Sequence, residues 1–452
     1  YVRDACGNIL TITDAAHELH YFSNTQVSPT RTFEYDALYR LVKATGREKN
    51  ALGQPGFDIH THNSVFPYPT GGGTVLENYE ERYTYDKAGN ITEMKHIPTT
   101  SSTWTREYDY EAANNQLKAT TQIGGGSGNL NDKYYYNKRG SMVFMPHLHD
   151  DLNTPQPTDN IVRDFRDHIR RVTLDTLTNK AWYVYDAGGQ RVGKRVEQNT
   201  TKTTLYLWGY EVFTDGTDTW TTLHVMDDQR RIALVECLDG GTKSVPDRRI
   251  RFQYTDHLGT ASLECEGNDN FAIISYEEYH PYGSTAWYTQ HQDVDVSKRY
   301  RYTGMERDDE TGLQYHSQRY YAPWLGRWDR ADPTGISDGA NRFTTDDTIN
   351  FSDSSGLSRL AAATRVAKAA WRSADEVYSF ARRPTPIDTS TLKPGQTLTF
   401  EVSPVQLQRV DAGDRKPPYY MPQGRTLTTQ GMKSLSPSAG QHALADDVMA
   451  KY

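Results

Sequence analysis

Tyr83-Thr84-Tyr85-Asp86-Lys87-Ala88-Gly89-Asn90-Ile91-Thr92 is the stretch whose reading decides the fold of this 452-residue chain. Residues alternate in period 2 on both sides of an Asp-x-x-Gly-Asn centre, which is the sequence signal of a β-hairpin. The phrase recurs as Tyr35-Asp36, Tyr110, Tyr136-Asn137 with Gly140, Tyr185-Asp186 with Gly188-Gly189, and Tyr254 with Asp256 and Gly259. Arg3-Asp4-Ala5-Cys6-Gly7-Asn8 is a variant without the tyrosine. Successive tyrosines lie 50, 25, 26, 49 and 69 residues apart, so four of the five steps fall near multiples of 25. Hairpins at a fixed period must stack on their neighbours to bury a face. The expectation is therefore an all-β fold of stacked hairpins, with an ordinary multi-sheet β protein as the plainer alternative. A continuous sheet of this kind can close around a cavity, which removes most of its edges and lets its inner wall be polar.

Composition fits such a wall. Hydrophobic residues make up 36% of the chain with Tyr counted, and exchanging Tyr for Gly in the count (31 against 34 residues) leaves that fraction almost unchanged. Compact domains hold roughly 45–50% by the second reckoning. Disordered chains lack aromatic residues, whereas 12% of this one is aromatic. No stretch approaches the roughly 18 apolar residues of a membrane span, and no signal-peptide pattern opens the chain. Cys6, Cys237 and Cys265 are too few and too scattered for a disulfide framework or a zinc site. A net charge of −8 argues against a general nucleic-acid binder, which should be basic.

Composition shifts near residue 358. Residues 358–452 hold 13 Lys/Arg against 8 Asp/Glu, a net of +5, which leaves −13 for residues 1–357. They also hold 8 of the 20 prolines but only 4 of the 31 tyrosines, and the repeat stops. Apolar residues at steps of three and four, from Leu360 to Ala381, predict a helix over 359–383 with Arg365, Lys368 and Arg372 between them. A packed helix face is the preferred reading of that stripe, and membrane adsorption the second.

The densest chemistry lies just before the boundary: Arg319-Tyr320-Tyr321-Ala322-Pro323-Trp324-Leu325-Gly326-Arg327-Trp328, then Asp332-Pro333-Thr334-Gly335, Asp338-Gly339 and Asp353-Ser354-Ser355-Gly356-Leu357. Two carboxylates held about 3 Å apart share a proton, so one can activate water while the other protonates a scissile carbonyl. A guanidinium such as Arg319 can bias the pair or hold the cut segment. From residue types alone, Asp-Pro-x-Gly and Asp-Gly read first as turns closed by Asx hydrogen bonds.

Beyond residue types, the run Arg299-Tyr300-Arg301-Tyr302-Thr303-Gly304-Met305-Glu306-Arg307-Asp308-Asp309-Glu310-Thr311-Gly312-Leu313, followed by Arg319 to Trp328 and Asp332-Pro333, resembles the Rhs-core signature. With Met145-Pro146-His147-Leu148, Leu223 to Asp228, Ile232 to Glu236 and Ile274 to Gly283, residues 1 to about 357 resemble the C component of insecticidal Tc toxins, an Rhs/YD-repeat family. The resemblance implies a hollow β shell over residues 1–298, an Rhs core with an aspartyl autoprotease site over 299–357, and a variable toxic effector segment, 358–452, sealed inside. By motif position Asp332 and Asp353 take the catalytic places, Arg319 that of the supporting arginine, and the cut falls between Leu357 and Ser358. Asp338 is a rival for either catalytic place. No cofactor is implied. The implied partners are a B-type shell partner, or an upstream shell segment of the same chain, and an A-type translocation channel. The implied setting is a secreted complex that delivers the effector into a target-cell cytoplasm. The chain begins inside the repeat pattern, so further shell strands are expected upstream or from the partner. Three features depart from the family: Asp346-Asp347-Thr348 replaces an Asn-Pro turn, Ser354 replaces a proline, and the segment between the two aspartate elements is about two residues shorter. They keep a second function in view, a non-cleaving Rhs/YD-repeat scaffold for interaction or adhesion.

Other motifs are weaker. His60-Thr61-His62 and His147-Leu148-His149-Asp150 set two imidazoles on one strand face, a spacing that can bind metal, but no third ligand is evident in sequence. Gly71-Gly72-Gly73 and Gly124-Gly125-Gly126 lack the Lys-Ser/Thr of a phosphate loop and read as hairpin loops. Residues 358–452 contain no Ser/His/Asp order or metal cluster that would name an activity.

Overall fold

The computed structural model describes residues 1–357 except 16–19, 23, 50–75, 122–129, 149–158, 175–177, 228–229, 242–247, 268–270, 291–297, 337–338, 345–346 and 354. All of these belong to one compact unit, Tyr1–Arg372. His60, His62, His149, both glycine runs, Asp338, Ser358 and the expected 359–383 helix lie outside the described residues.

Among the described residues the regular secondary structure is nearly all strand. A nine-stranded antiparallel sheet runs from Val2–Arg3 to Asp132–Lys133, and a twelve-stranded one from Ile161–Arg163 to Thr285–Gln290. In the second, every strand pairs with its successor in the chain, which is the stacked-hairpin order the repeat predicts. A four-stranded sheet follows, formed by Glu306–Arg307, Gln314–His316, Arg319–Ala322 and Arg327–Trp328.

The repeat phrase has a physical reason at each position. The Asp86 Oδ1 atom accepts the backbone N–H groups of Ala88 and Asn90 at 2.8 and 2.9 Å, closing the turn. Asp4, Asp36, Asp164 and Asp256 hold their turns in the same way, and Asn137 does so with its amide oxygen. The fourth turn residue has φ between +62° and +94° in Gly7, Tyr39, Gly89, Gly140, Asp167, Gly189 and Gly259, a region that glycine enters without steric cost. The tyrosine binds one unit to the previous one. The Tyr35 hydroxyl donates to the Ile9 carbonyl at 2.9 Å, Tyr110 to Ile91 at 2.7 Å, and Tyr185 to Ile169 at 2.9 Å. Tyr85 reaches Leu41 likewise. Each acceptor is the residue just after the preceding turn.

An apolar core gathers Ile9, Phe33, Leu41, Ile91, Met94, Leu117, Ile161 and Ile169 from the two large sheets around Trp324 and Leu325. The low apolar fraction has a visible counterpart in buried ion pairs. Arg191 lies 2.7 Å from Glu306 and 2.6 Å from Asp308, and Lys194 lies 2.8 Å from Asp308, all of them buried. Arg251 joins Glu236 and Glu264 at 3.0 and 3.1 Å. Charges withdrawn from water must be paired, and here the partners come largely from the 299–310 stretch, which docks the core segment onto the repeats.

Candidate active site

Two turns and one strand build the site. Asp332 and Asp353 each open an Asp-x-x-Gly turn in which one carboxylate oxygen is consumed locally. Asp332 Oδ1 accepts the Thr334 N–H at 2.7 Å, and Asp353 Oδ1 accepts the N–H groups of Ser355 and Leu357, both at 3.2 Å. The other oxygen of each carboxylate faces Arg319, whose Nη2 lies 2.9 Å from Asp332 Oδ2 and 3.3 Å from Asp353 Oδ2. All three residues are buried. One guanidinium nitrogen thus joins aspartates 21 positions apart.

Arg319 also grips the backbone ahead of the expected cut. Its Nε donates to the Gly356 carbonyl at 2.6 Å and its Nη1 to the Arg342 carbonyl at 3.3 Å, while its guanidinium carbon lies 4.2 Å from the centre of the Trp328 ring. Burial draws the arginine below its ordinary range, opposed by the charges of Asp332, Asp353 and Asp329. The Thr334 hydroxyl stands 2.6 Å from Asp332 Oδ1 and 3.3 Å from the Leu357 carbonyl oxygen. The carbonyl of the Leu357–Ser358 peptide therefore sits one hydroxyl away from a carboxylate.

Two residues support this arrangement, His316 and Gly356. His316 Nδ1 donates to the Asp353 carbonyl at 2.7 Å, and its ring meets Trp328 edge-on at 5.0 Å. Burial pushes this imidazole down to about 4, against the Asp353 carboxylate and carbonyl, so it is neutral near pH 7. Nothing in the sequence marks His316. Gly356 has φ +66°, and a Cβ there would come within 2.8 Å of the His316 carbonyl oxygen; the Asp-x-x-Gly-Leu pattern was its signal. A narrow cleft lined by Tyr302, His316, Trp328, Phe351 and Asp353 opens beside the site. Asp329 is fully buried but engaged elsewhere, by Arg163 at 2.7 Å and the Tyr320 N–H at 2.9 Å.

Of the departures from the family, Asp346 and Ser354 lie outside the described residues, whereas Asp347 holds a turn. Asp347 Oδ1 accepts the Asn350 N–H at 3.0 Å, and Asn350 Oδ1 in turn accepts the Ile9 N–H at 2.8 Å. The segment between the two aspartates is thereby tied to the first large sheet. His147 makes a structural contact, Nε2 to the Thr311 carbonyl at 3.0 Å. Among the described residues, no helix is long and apolar enough to cross a membrane.

No family model matches the chain. Toxin subunit YenC2 of Yersinia entomophaga is 31% identical over 381 residues, 80% of this chain and 37% of that protein. Of solved structures, the TcdB2-TccC3-Cdc42 crystal structure is similar with a TM-score of 0.63 and 29% identity over 79% of this chain and 17% of that one. The Photorhabdus luminescens Tc holotoxin pore gives 0.65 and 28% over 79% of this chain and 16% of that one. The chain spans little more than a third of the length of the toxin subunit. Hairpin repeats, core signature and relatives agree: this chain resembles the C components of Tc toxins, which are Rhs/YD-repeat proteins.

Proposed function

We propose that residues 1–357 form part of a β shell that encloses the 358–452 effector segment, and that the core releases this segment by aspartyl cleavage of the Leu357–Ser358 peptide. The observation that carries the reading is the convergence on Arg319: one side chain contacts both carboxylates and the Gly356 carbonyl, with Thr334 beside the Leu357 carbonyl. In such a step one carboxylate, acting as base, takes a proton from water that attacks the Leu357 carbonyl carbon. The other, entering protonated, donates to the carbonyl oxygen. The tetrahedral centre then collapses, the C–N bond breaks, and Ser358 leaves as an amine carrying the proton. Positioning within hydrogen-bond range supplies much of the rate.

On this reading the chain is a secreted component. A B-type shell partner completes the enclosure, and the freed effector passes through an A-type channel into a target-cell cytoplasm. The similar solved structures, a TcdB2-TccC3 complex and a Tc holotoxin pore, support that assembly. The test is the band pattern of purified protein. Wild type is expected as two associated fragments that separate on denaturing gels, and Asp332→Asn or Asp353→Asn as one intact band. An intact wild-type band overturns the cleavage.

A second reading, a non-cleaving interaction or adhesion scaffold, is favoured by the same bridge seen differently. A buried cation bridging two carboxylates is also the form that a purely structural ion pair takes. The same gel separates the two readings.

A further inference from the structure

A second constellation of chemistry-bearing side chains lies away from Arg319, where the first large sheet meets the turn that joins the last two strands of the second. Glu48 ends the strand Leu41–Lys49, Glu81 and His96 are cross-strand partners on Leu76–Tyr85 and Ile91–Pro98, and His280 opens the turn after Ile273–Tyr279. The two imidazoles share two carboxylates. His96 Nε2 lies 2.8 Å from Glu48 Oε1, and His280 Nε2 lies 3.4 Å from Glu48 Oε2. On the opposite edge of the rings, Glu81 Oε1 lies 3.1 Å from His96 Nδ1 and 3.5 Å from His280 Nδ1. One ligand atom each from Glu48, His96 and His280 fall within 4.8 Å of one another.

We propose that Glu48, His96 and His280 bind one divalent transition-metal ion of the Zn²⁺ class. Two imidazole nitrogens and one carboxylate are an established zinc donor set, with a fourth position left open. Closing the widest pair onto Zn–N bonds of about 2.0–2.1 Å takes a movement of about 1.5 Å, within reach of side-chain rotation. Glu81 then takes the place that a carboxylate behind a ligating histidine usually holds, receiving the far N–H and fixing tautomer and ring orientation. Glu81 is itself fixed by the Tyr83 hydroxyl. Aromatic rings hold the imidazoles: Trp104 stacks on His96 at 4.9 Å and 13°, and Tyr79 lies 5.3 Å from His96 and 4.7 Å from His280. A small cavity lined by Glu81, Trp104, His280, Ser284 and Trp324 adjoins the cluster on the Glu81 side of the rings. The ion joins ligands from both large sheets and so acts as a staple across the fold. Residues 48, 96 and 280 lie too far apart in sequence for any spacing motif to reveal them.

The test uses the full chain, stripped with a chelator and titrated with ZnCl₂ by calorimetry, with Co²⁺ as a spectroscopic probe. One equivalent of Zn²⁺ is expected, together with an upward shift of the thermal midpoint and the visible bands of tetrahedral Co²⁺. His280→Gln and Glu48→Gln should each weaken binding tenfold or more, and Glu81→Gln about tenfold. Absence of stoichiometric Zn²⁺ binding and of a thermal shift in wild type overturns the site without recourse to any variant. So does wild-type affinity in folded His280→Gln, or loss of binding on changing His60 and His62 instead.

Discussion

The hydroxyls of Tyr185 and Tyr320 meet at 2.8 Å. Tyr185 is the repeat tyrosine that donates to the Ile169 carbonyl, and Tyr320 directly follows Arg319, so the repeat ladder runs into the strand that carries the site. Removing the hydroxyl in Tyr185→Phe strips a buried carbonyl of a donor and Tyr320 of a partner. A loss of about 1–2 kcal/mol is expected, read as a lower urea midpoint with unchanged slope.

Arg319→Lys keeps the charge and loses the fork. A lysine has a single nitrogen, which cannot stand both where Nη2 meets the two aspartates and where Nε meets the Gly356 carbonyl. The variant is expected to fold and to accumulate as uncut chain. The intact fraction on a denaturing gel over time measures this, and cleavage at the wild-type rate would reduce Arg319 to a charge.

Two glycines with positive φ should respond differently to alanine. Gly89 (φ +83°) has open space around it, so Gly89→Ala is expected to cost only the backbone penalty of about 1–2 kcal/mol. Gly356→Ala adds a clash with the His316 carbonyl and the Arg319 backbone. It should displace Leu357 from Asp353, giving an intact band although Asp332, Asp353 and Arg319 are all retained.

Stability should fall on mild acidification, in part through His316, which faces Asp353 and Arg319 and packs on Trp328 and Tyr321. Its folded pKa is about 4, against 6.5 for the free side chain. As pH falls through that window the unfolded chain takes up a proton that the folded chain refuses. This contribution is complete above pH 6.5 and lost toward pH 4, up to about 3 kcal/mol. Glu277, held down to about 2 by Arg301 and Lys298 against its burial, loses its contribution only below the ordinary glutamate range. Urea midpoints at pH 7 and pH 5 should therefore drop less in His316→Gln than in wild type.

Much of this was legible in the chain itself. Tyr-Asp-x-x-Gly is a local code: the aspartate closes its own turn, the glycine supplies positive φ, and period-2 flanks make the strands, all within ten residues. The turns at Asp332 and Asp353 were legible because Asp-x-x-Gly is likewise local, while their catalytic places and the cut after Leu357 came from the family resemblance. Other features left no trace. His316 supports Asp353 through a single carbonyl contact 37 positions away, and Glu48, His96 and His280 come from three separate strand ends.

The sequence by itself determined the hairpins, their order and the two aspartate turns, because each depends on hydrogen bonds between residues a few positions apart. Only the tertiary structure decided that one nitrogen of Arg319 joins Asp332 to Asp353, that buried ion pairs stand where apolar side chains are scarce, and that two histidines share two glutamates. Those relationships join residues whose separation in the chain follows no period, and they arise when stacked sheets bury charges that must find partners across the fold.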